Sequence, residues 1–183
     1  ESEDSTGTVS LRELFEGNES VTGQVFHELD DIAYLICRGG WPRAIDMETD
    51  IALDQAKDYV DGVVHSDISR VDGVQRSAET TRKLLRSYAR HQGTQATIGT
   101  ITADMTTGGG FDISEKTVSS YINALQDIFV IEDAEAWNPN LRSKTAIRTS
   151  GTRYFVDPSI ATASLGIVPK DLINDLSTMG LMF

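Results

Sequence analysis

Apolar positions follow helical spacing through the first half of the chain and give way to strand-like runs further on. Val25, Leu29, Ile32 and Ile36 recur at intervals of three and four, predicting an amphipathic helix over residues 21–37 that Gly39-Gly40 stops. Before it, Ser10 with Glu13 has capping-box spacing, in which a hydroxyl and a carboxylate each satisfy one orphan helix amide, so a short helix is expected from there to Gly17. After it, Ala52, Ala56, Tyr59 and Val63 share one face of a helix over residues 48–64, and Asp72-Gly73 supplies turn chemistry for a break over residues 67–73.

Three more helices are expected beyond the break. The first, over residues 81–91, points Leu84, Leu85 and Tyr88 inward and sets Arg82, Arg86 and Arg90 one turn apart on another face. The second, over residues 97–106, closes at Gly108-Gly109-Gly110. The third begins at Ser114, a good N-cap, and buries Val118, Tyr121 or Ile122, Leu125 and Phe129. Residues 129–137 then read as a strand, a polar and basic loop follows, and Arg153-Tyr154-Phe155-Val156 reads as its partner strand before Asp157-Pro158 ends it. Three helices followed by strand, wing and strand is the winged form of the helix-turn-helix. The expected fold class is therefore mainly α with a small β wing: a helical lid-like bundle over residues 1–72, a winged helix-turn-helix over residues 73–160, and a helical lead-in over residues 161–183.

Composition narrows the picture. A chain of 183 residues with 39% hydrophobic content can bury one good core or two small ones. One cysteine, Cys37, excludes an internal disulfide framework and fits a reducing compartment; with no signal peptide or membrane span visible, a cytoplasmic protein is expected. The chain opens at Glu1 and stops at Phe183 just past an apolar stretch, from which it is expected to be a piece of something longer. Net charge is -12, which argues against a general polyanion binder, but the acidity is uneven. Residues 80–160 hold nine basic against eight acidic residues, and residues 136–156 hold no acidic residue while carrying Arg142, Lys144, Arg148 and Arg153. That strip is either a positioned basic feature or a solvated loop.

Little in the chain points to catalysis. A phosphate-cradling Gly-x-x-x-x-Gly-Lys-Ser/Thr run does not occur, and the triple glycine has neither the lysine nor the hydroxyl such a loop needs. His27, His65 and His91 are isolated in sequence, and one cysteine makes no zinc site with them at any familiar spacing. No nucleophile, base and orienting group assemble with any specificity, so no independent enzyme is expected.

Gly39-Gly40-Trp41-Pro42-Arg43-Ala44-Ile45 resembles the small helical lid of AAA-type ATPases, most closely that of a bacterial and archaeal group of predicted ATPases whose C-terminal region is an uncharacterised domain of unknown function. Further stretches resemble that group in its own order: Thr8-Val9-Ser10-Leu11-Arg12-Glu13-Leu14-Phe15, residues 59–68, Lys116-Thr117-Val118-Ser119-Ser120-Tyr121, and Arg153-Tyr154-Phe155-Val156-Asp157-Pro158. The resemblance implies an N-terminal ATPase domain that would hold ATP and Mg outside this chain, no cofactor within it, and a non-catalytic coupling role. In related ATPases with Gly-x-Pro-Arg at a lid helix the arginine senses nucleotide, and Arg43 occupies the matching place. The alternative is structural: Gly39-Gly40 as helix stop, Trp41 packed on the lid, Pro42 starting a helix and Arg43 solvated.

A winged helix in this position admits two outputs. As a reader of duplex DNA it would use Lys116, Ser119 and Asn123 on the helix from Ser114, and Arg142, Lys144 and Arg148 on the wing, although Glu115 adjoins Lys116. As a docking or oligomerisation module it would present the same residues to a partner protein or a second copy, which suits the overall charge.

Overall fold

The computed structural model describes residues 7–18, 22–24, 26–135 and 151–183. Helices begin where a side chain can take an orphan amide. Ser10 Oγ accepts from Glu13 N–H at 3.3 Å and starts α1 (Leu11–Phe15). The Asp31 carboxylate accepts from Glu28 N–H at 2.9 Å and starts α2 (Leu29–Arg38), eight residues later than the apolar spacing predicts. After a 3-10 turn at Pro42–Ala44, α3 (Thr49–Gly62) buries Ala52, Ala56 and Val60, then widens into a π-helical turn (Val63–Asp67) that carries the chain into α4 (Ile68–Arg70). The helical path therefore overruns the expected break, and the turn comes only at Asp72-Gly73, with Gly73 at φ 73.

Ser77, Thr97 and Ser114 cap α5 (Ala78–Arg90), α6 (Ile98–Thr106) and α7 (Glu115–Asp127), each accepting an amide from three residues on. Asp157 caps α8 (Pro158–Leu165), Asp171 accepts from Val168 N–H at 3.0 Å ahead of α9 (Pro169–Asn174), and Asp175 caps α10 (Leu176–Met182).

Burial, more than local propensity, organises these pieces. Four consecutive residues of α8, Ser159, Ile160, Ala161 and Thr162, are buried, the mark of a helix enclosed on all sides. It packs against α2, α3 and α5 at once, while α9 lies along α2, so the last third of the chain returns to close the first helices. On the far side of α5 lie α6 and then α7, with α4 touching α7. Tyr88, Leu84, Leu85, Ile101, Val118, Leu125, Ile131 and Ile160 are among the side chains sealed in one continuous core, each worth about 1.5–3 kcal/mol of burial.

The winged helix expected from the sequence is not there. Among the described residues the structure is helical, with no strand and no sheet; the two segments expected to pair as a β wing meet only at isolated antiparallel bridges, Ile131 with Phe155 and Ala134 with Thr152. The physical reason is a break between the bridges: Glu132 N–H donates to Tyr154 O, Ala134 and Thr152 bond each other, and Val156 N–H donates to Val130 O, but no bond from Tyr154 N–H to Glu132 O joins them into a ladder. Arg153, opposite Asp133 in this register, turns its backbone away from that segment: its N–H donates to Thr94 O at 2.8 Å and its carbonyl accepts from Gly93 N–H at 2.9 Å. Asp133, on the same face as buried Ile131, accepts there from the Tyr88 hydroxyl and from Arg153. Phe129, expected in the core, is 76% exposed: α7 ends before it, Val130 N–H closes back to Leu125 O, and Phe129 takes the left-handed position at φ 56 while Val130 and Ile131 go inside.

Candidate functional site

Gly39-Gly40-Trp41 and Asp157-Pro158-Ser159, far apart in sequence, meet where α2 ends and α8 begins. Gly40 N–H donates to Asp157 Oδ2 at 2.7 Å, and Asp157 Oδ1 accepts from Ser159 N–H at 2.8 Å as the α8 cap, so one carboxylate bridges both segments. The Trp41 indole N–H donates to Ser159 Oγ at 2.8 Å. Gly39 makes the approach possible. Its backbone sits at φ 73, ψ -175, a region essentially restricted to glycine, and a Cβ added there would overlap Asp157 Oδ1 and Ser159 Oγ and lie 2.8 Å from Ser159 Cβ.

Trp41 is held from its other side by Tyr59 of α3, with ring centroids 4.7 Å apart and planes tilted by 44°, a pairing worth about 0.5–1.5 kcal/mol beyond its buried area. Burial first, and then the charge of Asp67, raise the Tyr59 hydroxyl above its ordinary pKa. Pro42 opens the 3-10 turn and Arg43 follows it. Arg43 is exposed and makes no hydrogen bond or ion pair among the described residues. Its side chain borders an open recess completed by Trp41, Pro42, Gln55, Asp58 and Tyr59. The arrangement is a guanidinium on a fastened pedestal, suited to a bidentate contact with an incoming anionic oxygen pair. Asp58 on the same rim works against capture of a free polyanion from solution.

Lys116, Ser119 and Asn123 do come together, on one side of α7, in a polar groove that Ser120, Ala124, Asp72 and Asp127 also line. Lys116 is offset by Asp127, and Asp72 is already paired with Arg76, so the groove has no net positive charge and makes a poor cradle for phosphate. Arg142, Lys144 and Arg148 lie outside the described residues. Among the described residues no group of three or more His, Cys, Asp or Glu side chains is placed to hold a metal ion, and no helix is long and apolar enough to cross a membrane.

Reasoning from the sequence missed three tertiary arrangements. Asp157 read there as the end of a strand; its cap geometry was legible in Asp-Pro-Ser, its bond to Gly40 was not. Arg76 is almost fully buried, paired through both terminal nitrogens with Asp72 at 2.7 and 2.8 Å, donating also to Ile68 O at 2.9 Å, and lying over the Tyr121 ring at 5.6 Å. This pair ties the turn after α4 to α7. The third is the Tyr88–Asp133–Arg153 network, in which Arg153 Nε also donates to Ala96 O at 2.9 Å. Local pattern carried no signal for either network.

Fold and site together define a helical domain fastened by a clamp between its early and late segments. The chain belongs to the family described as "Domain of unknown function (DUF8612)", whose model matches residues 29–171, a span that includes both halves of the clamp. No curated protein and no solved structure matches the chain.

Proposed function

We propose that this chain is a non-catalytic coupling module of an AAA-type ATPase, in which Arg43 answers to the state of a nucleotide held by a separate ATPase domain. ATP and Mg belong to that domain in this reading, since no phosphate-binding loop occurs in the sequence. The observation that carries it is the setting of Arg43: exposed, without a partner among the described residues, and mounted on a turn fixed by the Gly40–Asp157 and Trp41–Ser159 bonds. The acidic rim at Asp58 and the net charge of -12 favour an arginine that completes a site built by another domain over one that captures nucleotide alone.

The output of such coupling is protein docking, to a partner or to a second copy, since in the groove of Lys116, Ser119 and Asn123 the one lysine is offset by Asp127 and Asp72 is already paired with Arg76, which leaves no net positive charge to hold a nucleic-acid backbone there. Arg43→Ala, made in the protein that carries the ATPase domain, should lower ATP turnover by about tenfold or more, while thermal stability stays within about 0.5 kcal/mol of wild type as for other exposed substitutions. Unchanged turnover refutes the reading.

A further inference from the structure

We infer that Asp157 is a positioning residue for Arg43: by accepting the Gly40 amide with one oxygen and capping α8 with the other, it holds the turn that presents the guanidinium. The inference rests on the proposed role of Arg43 and extends it to a residue 114 positions away in the sequence.

Three features argue that the clamp sets the geometry of the turn as well as stabilising the fold. The bonds converge on residues 39–41 immediately before Arg43, so the direction in which the turn leaves α2 is defined by α8. The carboxylate divides its oxygens, Oδ2 to Gly40 and Oδ1 to Ser159, and no neutral side chain of the same shape can accept at both. Gly39 adopts a backbone conformation nearly closed to other residues, which is the conformation that brings the Gly40 amide onto that carboxylate. α8 in turn touches α2, α3 and α5, so the carboxylate and the neighbouring serine join the turn to a helix packed within the core, beside the turn's own contact with α3 through Trp41 and Tyr59.

Asp157→Asn separates the two duties. Asparagine caps helices as well as aspartate does, so its oxygen keeps the Ser159 amide while its NH2 faces the Gly40 amide, donor against donor. Hydrogen exchange over residues 39–45 should rise in the variant, and the melting temperature should fall by several degrees, as loss of one charged hydrogen bond requires, with the chain still folded at assay temperature. In the protein carrying the ATPase domain, turnover should fall between about tenfold and about a hundredfold, the range for a displaced catalytic contact. Adding Asp157→Asn to Arg43→Ala should produce no further fall. Ser159→Ala, which removes the acceptor of the Trp41 indole, is the second variant and should act in the same direction.

The outcomes separate cleanly. If Arg43→Ala leaves turnover unchanged, the proposed function fails and takes this inference with it. If Arg43→Ala lowers turnover while Asp157→Asn and Ser159→Ala do not, the positioning role alone is overturned. A further fall when Asp157→Asn is added to Arg43→Ala also overturns it, because Asp157 would then act through something other than Arg43.

Discussion

Substituting alanine at Gly39 tests the clamp through stability alone. Two costs combine. The backbone at φ 73, ψ -175 strains any residue with a Cβ by about 1–3 kcal/mol. The new methyl also overlaps Asp157 and Ser159, so the carboxylate must withdraw and the Gly40 amide loses a charged acceptor at 2.7 Å, costing about 1.5–3 kcal/mol. Together they come to about 3–6 kcal/mol, which at about 2–4 °C per kcal/mol for a domain of this size lowers the melting temperature by something on the order of 10 °C. Gly166→Ala is the control. That residue also has positive φ, at 73, but sits in the left-handed helical region with nothing within 4 Å of an added Cβ, so it should cost about 1 kcal/mol and a few degrees. Thermal unfolding followed by circular dichroism reads both variants side by side. Equal falls would mean that backbone conformation alone matters and that the contact with Asp157 contributes nothing, which refutes the reasoning.

Two pH-dependent effects follow from buried or paired groups. Burial, opposed by a hydrogen bond with Thr162 and assisted by the charge of Asp171, pushes the Cys37 thiol from 9.0 up to about 11. The unfolded chain therefore loses this proton first, and the stability gained by burying the neutral thiol is whole below pH 9 and is lost as pH rises through about 11; Cys37→Ala should flatten the fall in melting temperature across that window, and an unchanged slope would contradict it. At the acid end, the hydrogen bonds from Arg76 hold the Asp72 carboxyl well below its ordinary 3.8, so its contribution is present above that pH and fades as pH falls further. Asp72→Asn should make melting less sensitive to acid below 3.8, and parallel pH profiles for variant and wild type would exclude the pair as a source of acid sensitivity.

Local chemistry was legible where a helix terminus is decided within four residues. Ser10, Ser114 and Asp157-Pro158 are short-range signals, and each stands where a helix begins or is about to begin. The glycines at 39 and 40, with Pro42 behind them, likewise announce the end of one helix and the start of a turn, whereas Arg43 was singled out by the resemblance to a lid motif. Strand pairing was misread because alternation says which faces a segment offers, and not whether the backbone bonds between two segments run unbroken. Between the two bridges no bond runs from Tyr154 N–H to Glu132 O, and the Asp133 carboxylate is taken there by Tyr88 and Arg153, so the expected wing is reduced to two bridges.

The sequence by itself determined that the chain is mainly helical, roughly where α1, α3, α5, α6 and α7 lie, and that a Gly-Gly-Trp-Pro-Arg turn follows α2. Only the tertiary structure decided that α8 sits inside the bundle, that Arg76 is buried on Asp72, and that Asp157 closes on Gly40. Helix capping depends on neighbours a few residues away, whereas each of these contacts depends on how much surface distant segments bury together, and one-dimensional spacing does not record that quantity.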